Sequence, residues 1–445
     1  MLLFAGPIVA ALRLGHLRFG CQFCLHRRCN LTQPKGFRLG ALSFVLITVA
    51  LDATGIGLLI PVIPRLVADL SGEGLSAAAV YGGWLTAVFA GMQFFAGPIL
   101  GSLSDHVGRR AVMLSSLAAF GASYVLMGFA SSLVWLFAAQ VLAGLFGATP
   151  STAGAYIADI SAPADRAKHF GWMGAAFGTG LIIGPVLGGA LASFGSRTVF
   201  FASALLSLSN VIYGYFVLPE SLAADQRRPF HWKRAHPVGA LLRLRRYSGI
   251  MPLLLALLVL QIVMQTLPAT WPYFTMQKFA WTPRDVGISL GIYGLSNILV
   301  QSFLTGRLSS RFGNSLTARA GFLMLMLGYL GFAFAPHGSL LLACIPVTVM
   351  GFATGPTISS LLSARVDGAS QGMLQGVMAS ATSLAAILTP PVMSKVFSVF
   401  SLPGAPRYFP GAPYLAAAGL AFVGALMISI ETKDSSALSS PTLSG

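Results

Sequence analysis

Twelve acidic residues are spread along the chain, and one of them stands where a carboxylate is costly. Asp52 lies inside the apolar run Ala50-Leu51-Asp52-Ala53-Thr54-Gly55-Ile56-Gly57. Asp69, Glu73, Asp105, Asp159, Asp165, Glu220, Asp225, Asp285, Asp367, Glu431 and Asp434 all fall between apolar runs or at their ends. A charged Asp at the centre of a membrane helix costs about 2.5–3.5 kcal/mol on insertion scales. Such a carboxyl must be protonated, paired or turned toward a cavity. A carboxyl that gains and loses a proton at that depth is what a proton carrier needs. The alternative is a structural Asp bonded to a neighbouring helix.

Around Asp52 the apolar runs carry neutral polar side chains. Gln93, Gln140, Asn297 and Gln301 are candidates to line a polar, nearly uncharged cavity, with Ser123, Asn210, Gln261 and Gln265 as further members of the set. Asn297 and Gln301 are four residues apart and share a helix face. Each amide could equally bind one helix to another. Trp84, Phe94, Trp172, Trp271, Tyr273 and Tyr293 could contact an apolar or aromatic compound, or simply pack. The stretch Gly101-Ser-Leu-Ser-Asp105-His-Val-Gly108-Arg109-Arg110 reads as a gating loop. Its glycines suit a tight turn. Asp105 is placed to cap the next helix or to pair with a basic neighbour, and Arg109 and Arg110 anchor the loop in water. Gly184, Pro185, Gly188 and Gly189, with Gly178 and Gly180, form a glycine-lined helix face with a bend, a packing motif. No nucleophile–base–acid set shares a face, so an enzyme is not expected, and neither is a cofactor. Cys21, Cys24, His26 and Cys29 have ligand-type side chains but lack the longer spacing between ligand pairs, so no metal site is expected.

The elements that must position these residues follow from composition. Only 9% of the 445 residues are charged and 55% are hydrophobic, with a mean hydropathy of +0.77. A soluble domain carries about 25% charged residues. A soluble enzyme and a disordered chain are both excluded. Apolar spans of membrane length fall at roughly 39–64, 78–100, 111–131, 134–157, 168–193 and 198–218, then at 249–274, 286–305, 316–336, 339–363, 372–400 and 411–430. The expected fold is an all-α membrane protein of twelve transmembrane helices in two six-helix bundles, 39–218 and 249–430. A basic N-terminal extension (1–38, expected to be disordered), a basic central loop (219–248) and a tail (431–445) complete it. Most of the 28 Lys and Arg residues fall on one side if both termini are cytoplasmic, which sets the orientation. The net charge of +16 therefore marks topology and contact with anionic lipid, not nucleic acid. Residues 101–108 and 306–313 repeat a similar pattern, and Gly144 and Gly351 sit alike in the fourth span of each half. Such a duplication places a binding site at the interface of the repeats.

These residues resemble the major facilitator superfamily. The 101–110 stretch is similar to its loop motif between spans two and three, and Gly184-Pro185-Val-Leu-Gly188-Gly189 to the fifth-span motif of its antiporters. Leu51-Asp52 through Pro61-Val-Ile-Pro64 resembles the first-span motif of twelve-span drug exporters. Gly154 through Asp159, Arg166 through Gly171, and Gln371-Gly-Met-Leu-Gln375-Gly376 resemble the bacterial tetracycline efflux antiporters. The resemblance covers roughly residues 41–430. It implies export of a small amphiphilic or aromatic compound in exchange for protons by alternating access. The implied setting is a monomer in a bacterial inner membrane, with a small-molecule substrate, protons and the lipid bilayer as partners. Asp159, Arg166, Gln371 and Gln375 are matched residues of the cytoplasmic loops, and Asp52 and Gln93 also match. Elsewhere the chain departs from the pattern. The fourth-span arginine of these exporters appears as Gln140. The tetracycline pumps' third-span acid falls at Ser123, their eighth-span histidine at Asn297 and their ninth-span aspartate near Leu325. A proton-independent facilitator or metabolite exporter of the same fold is the alternative.

Overall fold

In an oil-like medium every backbone N–H and C=O must be paired within the chain, and the helix achieves this locally. The computed structural model describes residues 35–222, 225, 227, 247, 250–402, 404, 405 and 407–439, and among these every regular element is helical. The first half comprises α1 (Lys35–Leu59), α2 (Ile63–Ser71), α3 (Leu75–Val107), α4 (Arg109–Gly128), α5 (Leu133–Leu145), α6 (Thr149–Ile160), α7 (Arg166–Leu191) and α8 (Ser196–Val217). The second comprises α9 (Ile250–Phe279), α10 (Pro283–Leu299), a π-helical stretch (Val300–Leu304), α11 (Thr305–Phe334), α12 (Gly338–Met350), α13 (Thr354–Ala364), α14 (Gln371–Ser401) and α15 (Ala412–Ser439). Residues 1–34 of the expected extension, with Cys21, Cys24, His26 and Cys29, and most of the central loop lie outside the described residues; residues 35–38 already belong to α1.

Eleven elements are long and apolar enough to cross a bilayer, one fewer than the twelve expected. The difference is a single element, Pro283–Phe334, of 52 residues. Straight, it would run about 78 Å at ~1.5 Å per residue, against a hydrocarbon core of about 30 Å. It is not straight. Gly313 takes φ 78 and ψ 161, which breaks the helix. On one side of the break the Gln301 amide donates to the Phe352 carbonyl at 3.4 Å. On the other, Gly321 packs against the Gly351 carbonyl and Thr354. Both flanks meet the same short turn, so the chain reverses at Gly313, and the described residues hold twelve spans of crossing length.

Short helices pair where the sequence supplies breaks. Pro61 separates α1 from α2, and α5 and α6 are separated by residues 146–148. Thr282 and Asp285 form a reciprocal capping box at the start of α10, with Pro283 in its first turn. Within the first half α4 packs on α8 and α3 on α5; within the second α11 packs on α15 and α9 on α14 and α15. The two halves meet where α3 packs on α14 and α9, and where α7 packs on α10. The second half has an aromatic core of Trp271, Phe274, Tyr329, Phe332 and Tyr414, anchored where Trp271 Nε1 donates to Ser289 Oγ at 2.9 Å. Two boundaries lie furthest beyond the expectation. α3 continues to Val107, and α15 continues to Ser439, well into the expected tail.

Candidate functional site

Asp52 sits on α1 and is 6% exposed. One turn before it, Thr48 and Asn210 of α8 are joined by two hydrogen bonds of 3.3 Å. One turn after it, Ser203 of α8 donates to the Gly55 carbonyl, and the Tyr124 ring of α4 lies against Gly55. Residues three and four apart share a helix face, so the carboxyl is on the face of α1 turned into its own bundle. The opposite face, with Ala50, Ala53, Thr54 and Gly57, is pressed against Gly180 and Gly184 of α7. No salt bridge or hydrogen bond reaches the carboxylate among the described residues. The Tyr124 hydroxyl is within its electrostatic reach and is itself buried without a hydrogen-bond partner. Tyr124 has no signal in the sequence, because only the packing of α4 on α1 brings it to Asp52.

The four amides expected to line one cavity are held separately. Gln93 Nε2 donates to the Gly147 carbonyl at 2.9 Å, across to the break between α5 and α6. Gln140 lines a void of about 10 Å³ with Ile63, Leu66, Leu85, Met127, Leu136 and Phe200, all from the first half. Asn297 and Gln301 share α10 and its π extension, where the Asn297 Oδ1 is buried without a partner and Gln301 reaches Phe352. These contacts place the four amides at separate points of the fold. Alternation of residue types located polar positions but could not say which way each side chain turns.

The expected gating loop is also shorter than its motif. Gly101 to Val107 continue α3 as helix, and the turn is Gly108 alone, at φ 120 and ψ 152. Gly101 makes no turn, since one glycine is tolerated inside a helix. Asp105 does not cap α4; it pairs with Arg109 at 2.5 Å. Arg109 also reaches Asp159 Oδ2 at 3.2 Å, so one guanidinium links two acids. The cap is Glu220, which sequence reasoning missed. Its carboxylate accepts from the backbone N–H groups of Arg109, Arg110, Ser221 and Leu222 at 2.8–3.3 Å. Glu220 follows α8 by three residues, and its role depends on α8 packing beside α4. Arg110 donates to the Tyr215 carbonyl at 2.5 Å. Gln371 ties the start of α14 to the Ser363 and Val366 carbonyls at 2.8 and 3.1 Å. Arg166 and Gln375 are exposed.

The seam between the halves differs along its length. At the end remote from Gly108 and Gly313, Ser76 Oγ donates to the Ser401 carbonyl at 2.9 Å. Gly82 lies under the Tyr273 ring and Gly83 under Pro390 and Ser394. Gly184 and Gly188 press on the α1 backbone, while a Cβ on Gly189 would come within 2.6 Å of the Pro283 carbonyl, and one on Gly287 would strike that of Pro185. Toward the basic end, Gly91, Gly97, Gly174, Gly178, Gly306, Gly372 and Gly376 face open space. Close packing of the two bundles is thus seen at the end of Ser76 and Ser401, while these glycines toward the basic end have no neighbour within 4 Å.

A family model described as Major Facilitator Superfamily matches residues 45–390 and 253–442. The chain belongs to this superfamily. It is a multi-pass membrane transporter by family, not an enzyme. Tetracycline resistance protein, class C, of Escherichia coli is 38% identical over 358 residues, covering 80% of this chain and 90% of that protein. Tetracycline resistance protein, class H, of Pasteurella multocida is 32% identical over 360 residues, covering 80% and 88%. Multidrug resistance protein 2 of Bacillus subtilis is 28% identical over 358 residues, covering 78% and 86%. Among solved structures, the nucleoside transporter NupG superposes with a TM-score of 0.72 at 15% identity, covering 89% of this chain and 99% of that one. The human organic anion transporter MFSD10 gives 0.66 at 21% identity, covering 89% and 100%. At these identities the structures speak for the superfamily fold alone. Within that fold, Ser123 is buried and donates to its own helix at Phe120, and Leu325 is buried in an apolar core, so neither position carries a charge.

Proposed function

We propose that this superfamily member is a secondary active exporter of a small amphiphilic or aromatic compound, driven by exchange for protons through alternating access. The observation that carries the reading is the seam, closely packed at one end and with glycines lacking neighbours toward the basic end, in a chain whose relatives bear the names of tetracycline and multidrug resistance proteins. The excess of Lys and Arg puts the basic end in the cytoplasm and both termini inside, with the protein a monomer in a bacterial inner membrane. In that orientation the state is open inward, ready to load a compound from the cytoplasm or the inner leaflet.

Asp52 is the group proposed to carry the proton. It is buried, unpaired among the described residues and the one acid within the apolar length of a span. The Asp105–Arg109–Asp159 ion pairs and the Gly108 turn are proposed to gate the cytoplasmic side. A screen of tetracyclines and other amphiphilic drugs in a pump-deficient host, with and without an uncoupler, tests the reading. Resistance to at least one compound that disappears with the proton gradient is expected; no change in resistance to any compound contradicts export. The accompanying variant is Asp52→Asn. In vesicles it should abolish accumulation driven by a pH gradient while leaving substrate counterflow, and accumulation at the normal rate would contradict the proton assignment.

A second reading, a facilitator without proton coupling, is favoured by one observation. Gln140, Ser123, Asn297 and Leu325 stand where the resemblance expects charged or titratable groups. Transport that persists after collapse of the proton gradient would select it.

A further inference from the structure

Two spans of this protein leave the α-helical ladder near their middle, the fourth at a break and the tenth at a tighter helical turn, and at each a glutamine from another helix is bound. In the fourth span, α5 has 13 residues and α6 has 12, and Gly147 lies between them. In the tenth, α12 has 13 residues and α13 has 11, joined by the turn Gly351–Ala353. A break takes carbonyls out of the helical ladder, and a buried carbonyl without a donor costs roughly 1–3 kcal/mol. Within a membrane only the protein or a water-filled cavity can supply that donor. Gln93 Nε2 supplies it to Gly147 O at 2.9 Å, and Gln301 Nε2 adds a donor at 3.4 Å to Phe352 O, which the Thr354 N–H also reaches.

Both ties are built into their surroundings. A Cβ on Gly147 would stand 2.9 Å from the Gln93 amide nitrogen, so the glycine leaves room for the tie. Gln301 is carried on the π-helical stretch Val300–Leu304, whose wider turn changes the register of the side chain. Its Oε1 lies 3.5 Å from Thr305 Oγ1, whose hydroxyl also has the Val300 carbonyl at 3.2 Å as an acceptor. Phe352 is itself 6% exposed and packs edge-on against Tyr293, so its carbonyl is held in place. Each glutamine comes from the second span of its half, and each break lies in the fourth.

We propose that Gln93 and Gln301 are positioning residues. Each pins the broken fourth span of its half at one carbonyl, and the two segments of that span pivot about the pinned point as the seam opens and closes. They act through the backbone and do not bind the exported compound. The proposal rests on the transporter reading for its consequence, but the ties themselves can be tested without it.

The experiment uses the full-length purified protein, hydrogen–deuterium exchange, and vesicle transport with tetracycline as probe. Gln93→Leu should raise exchange of the amides at 146–152 at least tenfold and leave 351–357 unchanged. Gln301→Leu should do the converse. The maximal transport rate should fall at least tenfold while KM stays within twofold. Gln93→Glu and Gln301→Glu keep the test alive if the leucine variants do not fold. A protonated carboxyl can donate to the same carbonyl and an ionised one cannot, so exchange at the break should be slower at low pH than at high pH after correction for the intrinsic rate. Unchanged exchange in all variants overturns the ties, and a raised KM at an unchanged maximal rate overturns the positioning role in favour of substrate binding. If tetracycline does not move, the exchange results still decide the ties, and the choice of probe or the transporter reading fails separately.

Discussion

The two ends of the inter-bundle seam are built from the same materials, yet their glycines pack in opposite ways. At the sealed end, glycines of α3 and α7 receive Tyr273, Pro390, Ser394 and the α10 backbone at distances no larger residue would permit. At the basic end, glycines of α3, α7 and α14 face nothing within 4 Å. Helix contacts in a membrane draw on close van der Waals fit more than on expulsion of water. A row of glycines is therefore a surface that can be filled or vacated at modest cost. The difference between the ends is what the proposed alternating access requires of one of its two states.

The comparison can be broken most severely at the seal. Gly287→Val places a side chain against the Pro185 carbonyl. Overpacking of this kind costs about 1–3 kcal/mol, enough to hold the seam open at that end. Transport should fall by about tenfold or more with normal expression, and thiol labelling near Ser76 and Ser401 should rise; a normal rate would mean that the contact is not used.

A smaller effect is expected where the basic end is held by polar contacts in place of glycine packing. Glu220→Ala leaves the N–H groups of Arg109 and Arg110 without their carboxylate. Loss of a helix cap costs about 0.5–2 kcal/mol, so the melting temperature should drop by a few degrees, read by thermal unfolding in detergent. The smallest effect belongs to the vacant glycines. Gly376→Ala should change stability by less than about 0.5 kcal/mol in the state described, and a large loss of stability would show that this surface is already packed.

The sequence revealed the parts of the fold that depend on local chemistry. Apolar runs located the spans, and the paired patterns at 101–108 and 306–313 marked the turns at Gly108 and Gly313. Within those patterns, glycine alone did not distinguish a turn from a helix interior, so Gly101 was expected to turn and does not. Side-chain direction was the harder part. Gln93 and Gln140 are amides in apolar runs of similar character, but one crosses to a broken helix and the other fills a void in its own bundle. Glu220 and Tyr124 act at places set by which helices lie side by side, information that no single segment contains.

The most direct test of alternating access is a pair of distance measurements on one protein lacking its four cysteines, with spin labels at Glu73 and Leu402 at the sealed end, or at His106 and Gly372 at the basic end. As pH or substrate is changed, the first distance should lengthen while the second shortens, in reciprocal populations. Distances that move together, or that stay fixed under every condition in which transport occurs, would contradict the account.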